Sequence, residues 1–215
     1  MTKSSFQKQR LQLVDKELKS AGLRDERVLN ALRKVPRELF VAENVRNRAY
    51  KNRPQPIECG QTISQPLIVG MMTAALELPP SGRVLEIGTG SGYAAAVLAE
   101  VSAEVFTIER HRQLADQAVE RLKSAGYSNI EVRHGDGTLG WPEAAPFDGI
   151  VVTAAGPRVP DALKQQLKID GHLVIPVGEE GDSQSLIRVT RIGESEFREV
   201  DLGPVRFVPL IGKNA

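Results

Sequence analysis

One cysteine, Cys59, and three histidines are all that this 215-residue chain offers to thiol or soft-metal chemistry. A lone cysteine excludes an internal disulfide, and no Cys/His cluster has metal-ligand spacing, so no metal is expected and Cys59 reads as an ordinary thiol ahead of a nucleophile. The opening residues, MTKSSFQKQR, lack the apolar core of a secretory signal, and no run approaches the ~18 apolar residues that cross a bilayer. A cytoplasmic protein with no membrane partner is the expectation. Internal repeats, low-complexity tracts and linkers are also missing, and the length suits one sizeable core. A single domain over 1–215 and a monomer are expected.

An excess of one charge is absent as well, with 28 Lys/Arg against 27 Asp/Glu. The balance is uneven along the chain: residues 1–55 hold 14 basic and 6 acidic side chains, a surplus of +8, and the remainder is −7. A basic cap invites nucleic acid or an acidic peptide, but lysines on amphipathic helices more often make a solvated face, and aromatics interleaved with arginines are wanting. No nucleic-acid partner is expected.

What is present centres on Val84–Gly92, VLEIGTGSG. A short branched apolar run reads as a buried strand, and Gly88, Gly90 and Gly92 turn it sharply into an Ala-rich helix starting near Tyr93. In an α/β sheet this corner lies at a carboxyl end of a strand, where ligands bind and glycines admit them close to the backbone. The dinucleotide pattern G-x-G-x-x-G fits poorly, because its last glycine falls on Tyr93. Glu86, inside the strand, would repel a pyrophosphate but suits an ammonium or a sulfonium, and S-adenosylmethionine carries both. A second strand, Glu104–Ile108, ends in Glu109 about 20 residues on, where an acid can accept from both ribose hydroxyls.

Before this corner, Leu11, Val14, Leu18 and Ala21 mark a helix over 5–21, and Asp25 caps a second that ends at Pro36, with a short third through Phe40. Residues 1–49 form a helical addition to the sheet. Residues 50–66 read as a loop, long enough to be functional. Pro66 suits the first turn of an apolar helix, which makes Ser64 a candidate N-cap; a catalytic role is equally open. After Glu109 the spacing predicts a helix over 112–125 and a strand over 130–133. Then come HGDG, with Asp136 either an acceptor for an adenine amino group or a turn residue, and a strand over 147–153. A helix over 160–168 and a strand over 171–177 follow, then strands at 185–192, 197–202 and 205–210 without helices. After the fourth strand, Val152–Ala155 offers no strong acceptor for an amine and no stacking aromatic, and His134 reads as structural rather than as a base. A carboxylate acceptor, ionised at neutral pH, would need no base.

Six stretches carry a resemblance: GQTISQP at 60–66, VLEIGTGSGY at 84–93, HGDGTLGWPE at 134–143, PFDGIVVTAA at 146–155, LVIPVG at 173–178 and VRFVPLIG at 205–212. With them the chain resembles the protein-L-isoaspartate O-methyltransferases, departing at Glu58-Cys59, where that family more often has a glycine followed by an aromatic or polar residue. The resemblance implies an α/β, Rossmann-like S-adenosylmethionine-dependent methyltransferase fold: a mostly parallel sheet with helices on both faces, an N-terminal helical addition and antiparallel C-terminal strands. It implies methylation of the free carboxylate of L-isoaspartyl residues in damaged proteins and peptides, which starts their repair through succinimide and leaves S-adenosylhomocysteine. Residues 50–66 would be the substrate loop and Ser64 the active-site serine, with Gln61, Thr62 and Ile63 beside it. Val205, Phe207, Pro209 and Leu210 would wall the peptide groove. The cofactor would be held by Glu86, Gly88, Thr89, Gly90, Ser91 and Gly92, and further on by Glu109, Arg110, Asp136 and Gly137. The rivals are a methyltransferase acting on RNA and a protein that binds S-adenosylmethionine without catalysis.

Overall fold

The N-terminal helix does not bury the stripe its spacing suggests. In the computed structural model, which describes residues 3–179 and 183–215, helix α1 (Lys3–Gln12) widens into a π-helical stretch over Leu13–Leu18. The wider turn rotates the buried face, so Leu13, Val14 and Leu18 are buried while Leu11 and Ala21 stay exposed. Helix α2 (Glu26–Lys34) is capped as expected, Asp25 accepting from Arg27 N at 2.8 Å and Val28 N at 3.2 Å, and its Val28, Leu29 and Leu32 are buried. The expected third helix is one 3₁₀ turn, Arg37–Leu39.

The loop over 50–66 contains a small antiparallel ladder, β1 (Gln55–Pro56) with β2 (Thr62–Ile63). Its turn passes through the left-handed region at Cys59, φ 57°, and Gly60, φ 68°. Helix α3 (Pro66–Ala75) follows directly. Its cap position is Gln65, with no side-chain cap bond, so Ser64 is not the N-cap. With Pro66 as the first helical residue, Ser64 lies one position too early to reach the free N–H groups of the first turn.

The main sheet is built from β3 (Arg83–Ile87), α4 (Tyr93–Ala99), β4 (Glu104–Glu109), α5 (Arg112–Ser124), β5 (Ile130–His134), β6 (Phe147–Val152), α6 (Asp161–Lys164), β7 (Leu167–Val177), β8 (Gln184–Arg191) and β9 (Phe197–Val205). Strand order is β5-β4-β3-β6-β7-β8-β9, parallel through β7 and antiparallel for the last two strands. This is the Rossmann-like arrangement, with order reversing at β3.

Two elements differ from the pattern read in the sequence. The helix expected over 160–168 is a single turn, because Leu167 is already in the sheet opposite Phe147 and fully buried. The two last strands are one, Phe197–Val205, after which residues 206–210 leave the ladder.

Side-chain alternation along each strand feeds two cores. Val84, Val105 and Val174 join a cluster with the N-terminal helices, α3 and α4, whereas Leu85, Ile87 and Ile175 face the opposite cluster around Trp141 and Phe147. Among the described residues no helix is long and apolar enough to cross a membrane.

Candidate active site

At the reversal point the chain leaves β3 through the glycine turn, and two of its glycines are needed for different reasons. Gly88 has φ 97°, and a Cβ there would collide with Thr153 Oγ1. That hydroxyl, at the end of β6, donates to the carbonyl oxygens of Ile87 at 3.1 Å and Gly88 at 2.8 Å and so ties the turn to the neighbouring strand. Gly92, φ 90°, is the cap position of α4 and packs against Leu122 and Ala118 of α5. Between them Gly90 N donates to Glu109 Oε2 at 2.8 Å, while the other oxygen of that carboxylate accepts from His111 N at 2.9 Å.

Beneath the turn is a polar stack. Thr89 Oγ1 lies 2.6 Å from Thr107 Oγ1, and Thr107 Oγ1 donates to Glu86 Oε2 at 2.6 Å. Glu86 is fully buried. Burial pushes its carboxyl up to about 8, against the pull of the Thr107 hydrogen bond and with the nearby Glu109 charge adding to the rise. Its Oε1 has no hydrogen-bond partner. The expected direct contact of Glu86 with a bound cation is therefore not presented: Glu86, Thr89, Ser91 and Gly92 build the turn from behind, and Gly88 and Gly90 line the cavity in front of it. Period 2 along β3 explains this, since Glu86 shares the face of Val84 and points under the turn.

The cavity lies at the carboxyl ends of β3, β4 and β6, where Ile108, Glu109 and Arg110 meet Gly88, with Gly137 on the far side. A wider groove of about 820 Å³ opens beside it. The two share Thr62, Thr153, Val208 and Pro209. Ser64 lines the groove with Gln65, and its hydroxyl has no hydrogen-bond partner among the described residues. Val205, Phe207 and Pro209 line it too, whereas Gln61 faces the cavity.

Two expected substrate-binding residues, Ile63 beside Ser64 and Leu210 in the groove wall, fall elsewhere. Ile63 is buried in the N-terminal core, the alternate of Thr62 on β2, and Leu210 lines the cavity. Asp136 is also placed differently from a base acceptor. It caps a 3₁₀ turn, with Oδ1 accepting from Thr138 N at 2.9 Å and Thr138 Oγ1 at 2.6 Å, and Oδ2 accepting from Lys213 N at 2.8 Å. Burial opposes ionisation there, yet the hydrogen bonds from Thr138 and Lys213 hold the carboxyl below its usual range. Of the two readings open in the sequence, the geometry favours the turn residue. His134 Nε2 meets the Arg110 carbonyl oxygen at 3.2 Å, a structural contact.

Sequence reasoning missed Thr153, His111, Ile211 and Gln184. Thr153 had a signal, its place just past the carboxyl end of the fourth strand. Gln184 had none. It is buried, its Nε2 donates to Phe207 O at 3.1 Å, and its Oε1 accepts from Phe207 N at 2.7 Å. Ala155 holds the next residues, with its N–H donating to Val208 O at 2.8 Å and its carbonyl accepting from Leu210 N at 2.6 Å. Residues 206–210 are thereby fixed without belonging to a strand.

A left-handed glycine turn open to a cavity and a carboxylate on the following strand of the sheet, Glu109, at the same cavity suit an adenosine cofactor. Residues 8–215 match the family described as Protein-L-isoaspartate(D-aspartate) O-methyltransferase. The Protein-L-isoaspartate O-methyltransferase 2 of Pelobacter propionicus is 56% identical over 200 residues, 93% of this chain and 89% of that protein. The enzyme of Rhodopseudomonas palustris is 54% identical over 200 residues, 93% and 92% of the two chains. Among solved structures, the Plasmodium falciparum protein-L-isoaspartate O-methyltransferase in complex with S-adenosyl-L-homocysteine superposes with a TM-score of 0.81 at 26% identity, covering 94% of this chain and 98% of that one. Another protein-L-isoaspartate O-methyltransferase gives 0.86 at 27% identity, over 95% and 67%. This chain belongs to the protein-L-isoaspartate(D-aspartate) O-methyltransferase family.

Proposed function

We propose that this chain transfers a methyl group from S-adenosylmethionine to the free carboxylate of L-isoaspartyl residues in damaged proteins and peptides, leaving S-adenosylhomocysteine and starting repair through succinimide. The observation that carries the reading is the meeting of the cavity in front of the glycine turn with the wider groove at Thr62, Thr153, Val208 and Pro209. A donor in one and an acceptor in the other would face each other across those four residues.

Gly88 and Gly90 admit the cofactor to the backbone, and Glu109 and Arg110 flank it. Glu86, Thr89, Ser91 and Gly92 hold the turn in shape, with Asp136 doing the same for the turn that carries Gly137. When bound, S-adenosylmethionine supplies a methyl group activated by its sulfonium. The Ser64 hydroxyl donates to one carboxylate oxygen of the substrate and aims the other. That acceptor is already ionised, so no general base is required. Opposite charges cancel as the bond forms, so a strongly polar site would favour the ground state, and positioning supplies most of the acceleration. Ser64 is an orienter rather than a covalent nucleophile. The chain works as a single domain, a monomer in the cytoplasm; its one cysteine, the exposed and unpaired Cys59, suits a compartment that keeps thiols reduced.

Incubation of methyl-labelled S-adenosylmethionine with paired isoaspartyl and aspartyl peptides tests this. Label is expected on the isoaspartyl peptide alone and is released in mild base as an ester. Label on RNA, or cofactor binding without transfer to either peptide, would refute it.

A further inference from the structure

Residues 204–209 form one wall of the groove, and their main-chain groups are not all equivalent. Phe207 N–H and C=O are both closed by the Gln184 amide, and Val208 O and Leu210 N are closed by Ala155. Arg206 N–H and C=O and Val208 N–H have no hydrogen-bond partner among the described residues. Free groups at every second residue are what the edge of a strand offers to an extended peptide. A peptide pairing there would set one of its side chains directly opposite Arg206, at the spacing where cross-strand charges interact.

Arg206 is also, among the described residues, the one charged side chain lining the groove. It is exposed, and it makes no salt bridge or side-chain hydrogen bond among the described residues; Glu179, on the turn after β7, is not paired with it. Ser64 already serves the methyl-accepting carboxylate in the reading above, and a full positive charge on that carboxylate would blunt its attack. The cation is left for a second anionic group of the substrate.

We propose that Arg206 is a specificity-determining residue that favours isoaspartyl peptides carrying an acidic side chain within two residues of the damaged one. The inference rests on the function proposed above and deepens it. An exposed pair of this kind changes binding by a few-fold and is screened by salt.

The test uses three isoaspartyl peptides, identical except for Glu, Gln or Lys placed next to the isoaspartyl residue and, in a second set, two residues away. For the unaltered protein kcat/KM falls in the order Glu, Gln, Lys, with about a 3- to 10-fold spread between Glu and Lys carried by KM and shrinking at high salt. Arg206→Gln flattens the order and Arg206→Glu inverts it. Equal loss on all peptides in both variants would mean that Arg206 serves the reacting carboxylate instead, and an order unchanged in both variants would place the selectivity elsewhere; either overturns the proposal. Cofactor affinity of each variant, measured by titration, confirms that it is folded. If the unaltered protein methylates no isoaspartyl peptide at all, it is the proposed function that fails, not the assignment within it.

Discussion

Gln184 and the main chain of Phe207 close on each other like a base pair, through hydrogen bonds of 2.7 and 3.1 Å, and this one buried amide fixes where the groove wall leaves the sheet. Gln184→Ala leaves the Phe207 N–H and carbonyl unmatched in a half-buried place, a loss of about 1–3 kcal/mol. We expect KM for isoaspartyl peptides to rise by about 10-fold, with the dissociation constant of S-adenosylhomocysteine little changed. Steady-state kinetics with calorimetry separates the two; an unaltered KM would show that the wall stands without this pair.

Ser64 has no hydrogen-bond partner among the described residues and lines the groove rather than capping α3. Removing its hydroxyl should therefore not unfold the helix. Ser64→Ala is expected to lower turnover by about 10² while thermal stability and cofactor affinity hold, a loss comparable to that of one positioning donor. Unchanged turnover would remove Ser64 from the mechanism, and a fall in melting temperature would restore the capping role.

A methyl group at Gly88 meets two obstacles, the left-handed φ of 97° and the Thr153 hydroxyl. Gly88→Ala should cost about 2–4 kcal/mol of stability and weaken S-adenosylhomocysteine binding by more than 10-fold. Adding Thr153→Ala relieves the collision but not the dihedral, so the double variant recovers in part only. Full recovery in chemical denaturation would show that the contact alone mattered.

Glu86 makes stability depend on pH. Its carboxyl titrates near 4.5 ordinarily and at about 8 in the folded chain, raised chiefly by burial. Between those values the folded state keeps a proton that the unfolded chain releases, so unfolding gives up protons and becomes easier as pH rises. The cofactor-free protein should therefore lose stability from about pH 5 to pH 8, and Glu86→Gln should flatten that slope. Melting temperatures measured at several pH values decide it; a slope identical in the variant would exclude Glu86 as its source.

Much of this was legible in residue order. The strand-turn-helix at Val84–Tyr93, the Asp25 cap and the parallel-then-antiparallel succession rest on local rules, apolar period, cap chemistry and glycine dihedrals, which need no partner to be read. Where local rules competed with the sheet, the sheet prevailed. Leu167 joins β7 rather than extending α6, because pairing with Phe147 buries it fully. At α1 the widened π turn, which no residue type announces, exchanged Leu11 for Leu13 in the core.

The site divides in the same way. The sequence alone determined that glycines make a sharp corner from strand to helix, that Glu109 follows it at the carboxyl end of the next strand, and that a serine precedes an apolar helix. Only the tertiary structure decided which of these side chains face open space. Glu86 and Thr89 sit below the turn and Ile63 points to the core, while Thr153, Gln184 and Arg206 arrive at the cavity and groove from distant segments. The reason is physical: what a residue is follows from its chemistry, but which face it presents follows from strand pairing and from which polar groups the fold leaves without partners.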